Sequence, residues 1–240
     1  MMKSLAEKIG IEFFPITLPA ISVGGVTNQS YTVELAKKQF PGCTVINIGE
    51  LVDNCHDRLP YVSSTWAEGQ SVAYLRTAAM YSFTSQLSDQ NLRPVIVGTT
   101  NQSEGRYIGY FGKASDGMVD LQPISDIFKR EVYILAEYLG VIDEIQNRTP
   151  NGDMHDNRTD EELFGFTYGE LEYVMCEMQK FGFSSPVQFA DHPSMRNMLR
   201  LHEYNKHKYF GASPAVHFDL NEYVVSFPGS WKTFNSPFME

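Results

Sequence analysis

Apolar residues along this chain follow two different spacings. Short apolar runs bounded by turn residues predict strands, whereas segments with apolar residues three or four positions apart predict helices. The predicted strands cover 11–19, 44–48 and 95–97, and the predicted helices cover 3–10, 31–40, 71–87 and 125–139. Strands that alternate with helices in this way are typical of an α/β fold with a doubly wound parallel sheet.

The second half of the chain has a mostly helical pattern. Thr159-x-x-Glu162 and Thr167-x-x-Glu170 are capping boxes, which predict helix starts. The acidic residues within 153–162 lack the spacing of a calcium-binding loop, and we interpret that segment as a solvated loop. We expect one domain over 1–240, with an α/β core over 3–140, a helical part over 141–210 and an irregular tail over 211–240.

Composition and charge narrow the classes of function. With 42% hydrophobic and 13% aromatic residues among 240, the chain can bury a sizeable core. Its formal charge of −10 argues against a nucleic-acid partner, because phosphate backbones are bound by basic surfaces. No apolar run approaches the roughly 18 residues of a membrane span, and the N-terminus lacks the apolar core of a signal peptide. Cys43, Cys55 and Cys176 match no zinc spacing, so we interpret them as thiols in a reducing compartment and expect a cytoplasmic protein.

The polar stretch that follows the predicted strand at 95–97 carries the candidate chemistry. It places Glu104, Lys113, Asp116, Asp120 and Lys129 in one Gly-rich segment. Residues that follow a strand end in an open α/β sheet lie where such sheets bind their ligands. Lysines bind phosphates, and carboxylates bind Mg²⁺. The stretch therefore predicts nucleotide chemistry.

These residues also occur in the order of a known family frame. The frame runs through Gly98-Thr99, Glu104, the segment 110–123, Lys129, the segment 161–168 and His207-Lys208. Over roughly residues 3–210, these motifs resemble the NAD synthetase family, the N-type ATP pyrophosphatases. The resemblance implies an adenine nucleotide alpha-hydrolase-like fold, in which the doubly wound parallel sheet is followed by a helical C-terminal part.

The resemblance implies a carbon–nitrogen ligase reaction, the ATP-dependent amidation of deamido-NAD to NAD with ammonia. ATP first adenylates the carboxylate and releases pyrophosphate, and ammonia then displaces AMP from the acyl-adenylate. The family's site residues fall here on Glu104 for Mg²⁺, on Thr99, Lys129 and Asn151 for ATP, and on Lys113, Asp120, His207 and Lys208 for deamido-NAD. A homodimer is implied as well, because family members build the deamido-NAD site across the subunit interface.

The chain departs from the family in its N-terminal part. The family's Ser-Gly-Gly-x-Asp-Ser loop follows the first strand and binds pyrophosphate through backbone N–H groups. Ser22–Thr27 is superficially similar, but it has no Asp and follows the segment that matches the family's second strand. We therefore expect an N-terminally truncated fold whose first strand lies upstream of Met1, unless another chain supplies it or the function has been lost. Tyr74 stands where the family has an Arg that contacts deamido-NAD, and Arg76 lies two positions further on.

Three functions compete on these observations. The first is an ammonia-dependent NAD synthetase, with Mg²⁺ and ATP as cofactors. The second is a non-catalytic family member that binds the dinucleotide and dimerises but has lost the pyrophosphate loop. The third is an ATP pyrophosphatase that amidates another nucleotide, and Lys113, Asp120 and His207-Lys208 argue against it. Without the pyrophosphate loop, we expect little release of pyrophosphate from ATP.

Overall fold

The chain divides into two units. This computed structural model describes residues 1–21, 30–59, 64–152, 158–180, 193–208, 216–219 and 224–225. Unit 1 comprises Met1–Ser82 and Ile134–Asn157, and unit 2 comprises Phe83–Tyr133 and Arg158–Glu240. Each unit contains residues from the predicted α/β core, 3–140, and from the predicted helical part, 141–210. The single domain with a core, a helical part and a tail therefore stays a prediction.

Helices dominate the described residues, and the strands are short. The α-helices are α1 (Met2–Ile9), α2 (Ser30–Gln39), α3 (Gly49–Arg58), α4 (Thr65–Asp89), α5 (Lys129–Tyr138), α6 (Asp143–Gln146), α7 (Asp160–Phe164), α8 (Tyr168–Lys180) and α9 (Pro193–Asn205). The strands are β1 (Ile16–Thr17), β2 (Thr44–Val45), β3 (Leu121–Gln122), β4 (Val216–Asp219) and β5 (Val224–Val225). A π-helix covers Ser103–Ile108, and a 3₁₀ turn covers Lys206–Lys208. Within the described ranges, no helix is both long and apolar enough to cross a membrane.

Unit 1 contains a parallel strand pair beside a small apolar core. β1 and β2 pair with Ile16 opposite Thr44. Backbone hydrogen bonds extend this pairing as far as the carbonyl of Pro19, which accepts from the N–H of Ile48 at 2.9 Å. Ile48 is fully buried and belongs to a cluster with Ala20, Val52 and Val72. The apolar side of the strand pair is thus closed by residues of α3 and α4.

Unit 2 has a second sheet and the larger core. β3 and β4 pair in parallel, β4 and β5 pair antiparallel, and Val97 forms a parallel bridge to Leu121. The core packs the π-helix against α8 and α9. Its buried members are Tyr107, Ile108, Phe128, Phe164, Phe166, Tyr168, Leu171, Val174, Met175, Met195 and Met198. This core supports the segment that carries Glu104.

Three helix ends confirm the sequence signals. Gly10 follows α1 with φ at 74°, a left-handed conformation that favours glycine. Thr159 and Glu162 form the predicted capping box at the start of α7. The same exchange starts α8, where the N–H of Thr167 donates to Glu170 Oε2 at 2.7 Å and the N–H of Glu170 donates to Thr167 Oγ1 at 3.1 Å.

Two predicted elements of unit 2 have different bounds in the structure. The helix predicted over 125–139 begins only at Lys129, because the carboxylate of Glu131 accepts the N–H of Phe128 at 2.7 Å and so caps the helix there. Ser125 and Asp126 are buried in the preceding turn. The strand predicted over 95–97 is reduced to the bridge at Val97.

The sheet and the tail also differ from the prediction. The pairing of β1 with β2 and of β3 with β4 is parallel, as predicted, but among the described residues it forms two short sheets and no continuous doubly wound sheet. β4 and β5 lie within 211–240, which the composition predicts to be irregular. The sequence prediction also omits α3, although Ile48, Leu51, Val52 and Cys55 lie at the spacing of a helix face.

Candidate functional site

Asn101, which precedes the π-helix, holds the backbone of Glu104 in place. The N–H of Glu104 donates to Asn101 Oδ1 at 3.1 Å, and the N–H of Gly105 donates to the carbonyl of Asn101 at 2.9 Å. The π-helix ends at Gly109, which adopts φ at 61°. π-Helical turns are rare in proteins, and those that do occur are frequently found at functional sites. The buried Asn101 thus fixes the backbone from which the Glu104 carboxylate projects.

Gly98 opens this segment at a point of close approach. A Cβ atom at this position would lie 2.6 Å from Oε1 of Gln122. Gln122 is buried, and its Nε2 donates to the carbonyl of Asp116 at 2.8 Å. A side chain at position 98 would therefore displace Gln122, which explains the glycine of the Gly98-Thr99 motif.

Glu104 and Lys129 form a partly buried ion pair. Lys129 Nζ lies 2.7 Å from Glu104 Oε1, and the two side chains are 20% and 16% exposed. The Tyr168 hydroxyl lies 2.8 Å from the same oxygen, and Lys129 Nζ lies 5.2 Å from the centre of the Tyr168 ring. An ion pair with this little solvent is screened far less than a surface pair. The pair therefore gives unit 2 a fixed positive and a fixed negative group at one place.

Asp160 completes the cluster from the first turn of α7. Its Oδ2 lies 2.9 Å from the Tyr168 hydroxyl, and the residue is 4% exposed. The sequence pattern predicts a solvated loop here, and for Asp160 this prediction is wrong, because the capping box of Thr159 turns the chain inward at that point. The Tyr168 hydroxyl has one hydrogen and stands between two carboxylates, so it donates to Glu104 or to Asp160 but not to both.

Burial and the nearby charges shift the acidities of this cluster. Burial raises the pKa of Asp160, and the charge of Glu104 acts in the same direction, against the hydrogen bond from Tyr168 and the charge of Lys129. Burial also raises the pKa of the Tyr168 hydroxyl, and the charges of Glu104 and Asp160 add to that increase. Tyr168 is therefore a neutral hydrogen-bond donor at physiological pH.

The raised pKa of Asp160 predicts a pH dependence of stability. A carboxyl whose pKa is higher in the folded than in the unfolded state stabilises the fold below the unfolded pKa, about 3.9, and this contribution is lost as the pH rises through the folded pKa. We expect Asp160→Asn, measured by urea unfolding in metal-free buffer between acidic and neutral pH, to remove that loss. The stability of the variant relative to the wild type will then increase with pH, and a difference independent of pH would contradict the assignment.

The His207-Lys208 pair makes internal contacts. Lys208 Nζ donates to the carbonyls of Gly109 and Phe111 at 3.0 and 2.7 Å, and burial lowers the pKa of its ammonium, against the opposing charge of Asp116. Nδ1 of His207, which is exposed, lies 3.0 Å from the carbonyl of Tyr204 at the end of α9. Lys208 thus ties the chain after α9 to the end of the π-helix.

The other residues predicted to bind ligands have different surroundings. Oδ2 of Asp120 accepts the N–H of Ile96 at 2.8 Å and so fixes the chain before Gly98. Thr99 and Lys113 are exposed in unit 2, and Asn151 is exposed in unit 1. In the described part of the chain, a hydrogen bond joins two of the predicted site residues, Glu104 and Lys129.

Tyr74, which stands where the family pattern has an Arg, lies in unit 1. Tyr74 is 43% exposed on α4, and Arg76 Nε donates to the carbonyl of Leu18 at 3.0 Å. Residues two apart on a helix point to different sides, so the Arg76 side chain stabilises the end of the β1 segment from a different side of α4. Ser22–Thr27, the sequence most similar to a pyrophosphate loop, lies outside the described residues.

The sequence motifs contain Tyr168 and Asp160 but give them no role. Tyr168 is 64 positions from Glu104 in sequence, and a contact of that separation leaves no local spacing signal. The signal that could have been used is the position of Tyr168 directly after a capping-box threonine, which fixes the first residue of α8.

The donor set fits a cation together with a phosphate. Carboxylate oxygens are the ligands that Mg²⁺ prefers, and an ammonium pairs with phosphate. Oδ1 of Asp160 is buried without a hydrogen-bond partner in the structure, which leaves a hard oxygen next to Glu104. The described ranges contain no group of three or more His, Cys, Asp or Glu residues that could hold a metal alone.

Two curated proteins similar to this chain carry the same name. The NH(3)-dependent NAD(+) synthetase of Thermoplasma volcanium is 28% identical over 165 residues, which cover 69% of this chain and 63% of the relative. That of Syntrophomonas wolfei is 41% identical over 108 residues, 45% of this chain and 41% of the relative. The chain therefore spans less than two thirds of the length of these curated relatives.

Solved structures and a family model complete the comparison. An NMN synthetase from Francisella tularensis superimposes with a TM-score of 0.68 at 24% identity, over 85% of this chain and 79% of that one. The NH3-dependent NAD synthetase of Campylobacter jejuni, in complex with the nitrate ion, gives a TM-score of 0.61 at 16% identity, over 87% and 80%. Both likenesses indicate an α/β fold of the NAD and NMN synthetase type. The NAD synthase family model matches residues 6–210, and the chain belongs to this family.

Proposed function

We propose that this chain is an ammonia-dependent NAD synthetase, which amidates deamido-NAD to NAD through an acyl-adenylate formed with ATP. The observation that carries the proposal is the partly buried Glu104–Lys129 pair beside the Tyr168 hydroxyl, in a chain of the NAD synthase family. The names of the curated relatives support ammonia as the nitrogen source. A doubly wound parallel sheet, a homodimer and a cytoplasmic location belong to the same proposal.

The ion pair suits an exchange of partners when ATP binds. Without ligand, the Lys129 ammonium and the Glu104 carboxylate neutralise each other at 2.7 Å. In the proposed complex, Lys129 pairs with a phosphate of ATP and Glu104 holds Mg²⁺, so each buried charge keeps an opposite charge beside it. Mg²⁺, when bound, supplies charge neutralisation at the phosphates.

The two chemical steps place different demands on the protein. In the first, a carboxylate oxygen of deamido-NAD attacks the α-phosphorus, and the bond to pyrophosphate breaks. Negative charge grows on the α-phosphate oxygens, and the fixed Lys129 ammonium would stabilise it. In the second, ammonia attacks the acyl carbon and the bond to AMP breaks. The protein must exclude water here, because water would return the acid.

The remaining residues have supporting roles in the proposal. Thr99 and Asn151 would contact ATP, whereas Lys113, Asp120, His207 and Lys208 would line the deamido-NAD site. Because Asp120 accepts the N–H of Ile96 and Lys208 donates to two carbonyls, we infer that these two side chains also hold the loops of the site.

The alternative is a non-catalytic member that binds the dinucleotide and dimerises without turnover. Two observations favour it: Ser22–Thr27 lacks the Asp of the family's pyrophosphate loop, and Tyr74 replaces an Arg of the family pattern. Under this alternative, deamido-NAD binds but no pyrophosphate is released from ATP.

A single assay with a binding control separates these functions. The purified chain is incubated with deamido-NAD, ATP, Mg²⁺ and ammonium, and NAD is quantified by chromatography. NAD formation that is lost in Lys129→Met and kept in Lys3→Met, an exposed lysine of α1, is the expected result. Binding of deamido-NAD by calorimetry without NAD formation would favour the alternative, and no binding at millimolar ligand would contradict both. The deamidated mononucleotide is tested in parallel, because one similar structure is that of an NMN synthetase.

A further inference from the structure

A second buried carboxylate lies on the same face of α8 as Tyr168. Glu172 follows Tyr168 by four positions, and residues with this spacing are neighbours on a helix surface. Its side chain is 2% exposed. A buried carboxylate is costly unless hydrogen bonds and opposite charges compensate it. The partners of Glu172 therefore show what the residue does.

Those partners belong to the two elements that carry the ion pair. Glu172 Oε1 accepts from Ser103 Oγ at 2.8 Å and from the N–H of Arg130 at 3.3 Å, and Oε2 lies 3.2 Å from Arg130 Nε. Ser103 is the residue before Glu104 in the π-helix. Arg130 is the residue after Lys129 in the first turn of α5, where the helix dipole favours a negative charge.

Ser103 connects the two sides through a single hydroxyl. Ser103 Oγ donates its hydrogen to Glu172 and accepts the N–H of Lys129 at 2.9 Å. Ser103 is fully buried, so water cannot replace either bond. The Glu172 carboxylate thereby fixes the orientation of a hydroxyl that holds the backbone of Lys129 beside the backbone of Glu104.

We propose that Glu172 is a positioning residue for the Glu104–Lys129 pair, acting through Ser103. The inference rests on the proposed function for its consequence, the alignment of Lys129 with a phosphate of ATP. Tyr168 and Glu172 then have complementary roles, because α8 holds the Glu104 carboxylate through Tyr168 and the backbone of the ion pair through Glu172.

How firmly the Lys129 side chain is held can be tested without nucleotide. Glu172→Gln keeps the shape of the side chain but turns amide hydrogens toward Ser103 or the Arg130 guanidinium. Acetylation rates of individual lysines are followed by peptide mass spectrometry in this variant, in Ser103→Ala and in the control Glu137→Gln, which removes an exposed carboxylate from α5. Lys208, held by two carbonyls in the same unit, is the internal reference.

We expect acetylation of Lys129 to rise about tenfold in Glu172→Gln and Ser103→Ala, the size expected when a hydrogen bond to a charged group is lost. Lys208 should react at the wild-type rate in both variants, and Glu137→Gln should change neither lysine. An unchanged Lys129, or equal increases at Lys129 and Lys208, would overturn the proposal. If Glu172→Gln fails to fold, Ser103→Ala alone decides.

A double-mutant cycle then tests the consequence for nucleotide binding. Glu172→Gln should lower the affinity for Mg–ATP about tenfold in the wild-type background and less than about twofold in the Lys129→Met background, because residues that act through one another are not additive. The same loss in both backgrounds would contradict action through Lys129. If the wild-type chain binds no Mg–ATP, the proposed function fails, whereas the acetylation result still decides the role of Glu172.

Discussion

Replacement of Lys129 by methionine is expected to weaken Mg–ATP binding about a hundredfold. Methionine keeps the apolar stem but removes the ammonium that would pair with phosphate, and it leaves the Glu104 carboxylate without its positive partner. Truncation of one partner of a buried, hydrogen-bonded charge pair costs about 2–5 kcal/mol of binding free energy, and a hundredfold change lies within that range. Calorimetric titration with ATP in excess Mg²⁺ measures the effect.

The matched control is Lys3→Met, because this side chain is 52% exposed in α1. It removes the same charge from the chain and should leave the affinity for ATP unchanged. If Lys129→Met changed the affinity by less than about threefold, the loss would be no greater than that of a surface ion pair. Lys129 would then not bind phosphate.

The largest expected effect on stability is that of Phe164→Ala in the core of unit 2. Phe164 is 2% exposed and contacts Tyr110 edge-on, with ring centroids 4.7 Å apart. It also packs against Tyr168 with centroids 5.9 Å apart. Deletion of a buried Phe ring costs about 3–5 kcal/mol through lost burial and the cavity that remains. We therefore expect the free energy of unfolding, measured with urea, to fall by about 4 kcal/mol.

This substitution should also disturb the site, because the Tyr168 ring loses a neighbour and its hydroxyl lies 2.8 Å from the Glu104 carboxylate. Tyr138→Ala is the control, since that ring is 86% exposed and its removal should cost well under about 1 kcal/mol. A loss below about 1 kcal/mol for Phe164→Ala would show that the ring does not support this core.

Local signals in the sequence account for much of the secondary structure. Gly10 ends α1, and the capping boxes at Thr159 and Thr167 start α7 and α8, because each signal involves backbone groups within one turn. The start of α5 is missed because only a part of its cap is local in sequence. Its cap is built by Glu131 inside the helix and by Ser103 from the π-helix, and only the first of these is local.

The candidate site likewise contains some residues that the sequence identifies and others that it does not. Glu104 and Lys129 could be selected from their order in a family frame, and the structure joins them. The roles of Tyr168 and Glu172 could not be predicted, because their contacts with Glu104 and Ser103 span 64 and 69 positions and depend on how α8 packs. The deamido-NAD residues Lys113, Asp120, His207 and Lys208 stay predictions.

The most direct test of the central claim is the effect of Mg²⁺ on the affinity for ATP in the wild type and in Glu104→Gln. Glutamine keeps an oxygen that can accept from the Tyr168 hydroxyl but removes the charge that would hold the cation. If Glu104 binds Mg²⁺ next to the phosphate on Lys129, Mg²⁺ should raise the affinity of the wild type about tenfold or more, and that of the variant less than about twofold. An equal effect of Mg²⁺ in both proteins would contradict the account.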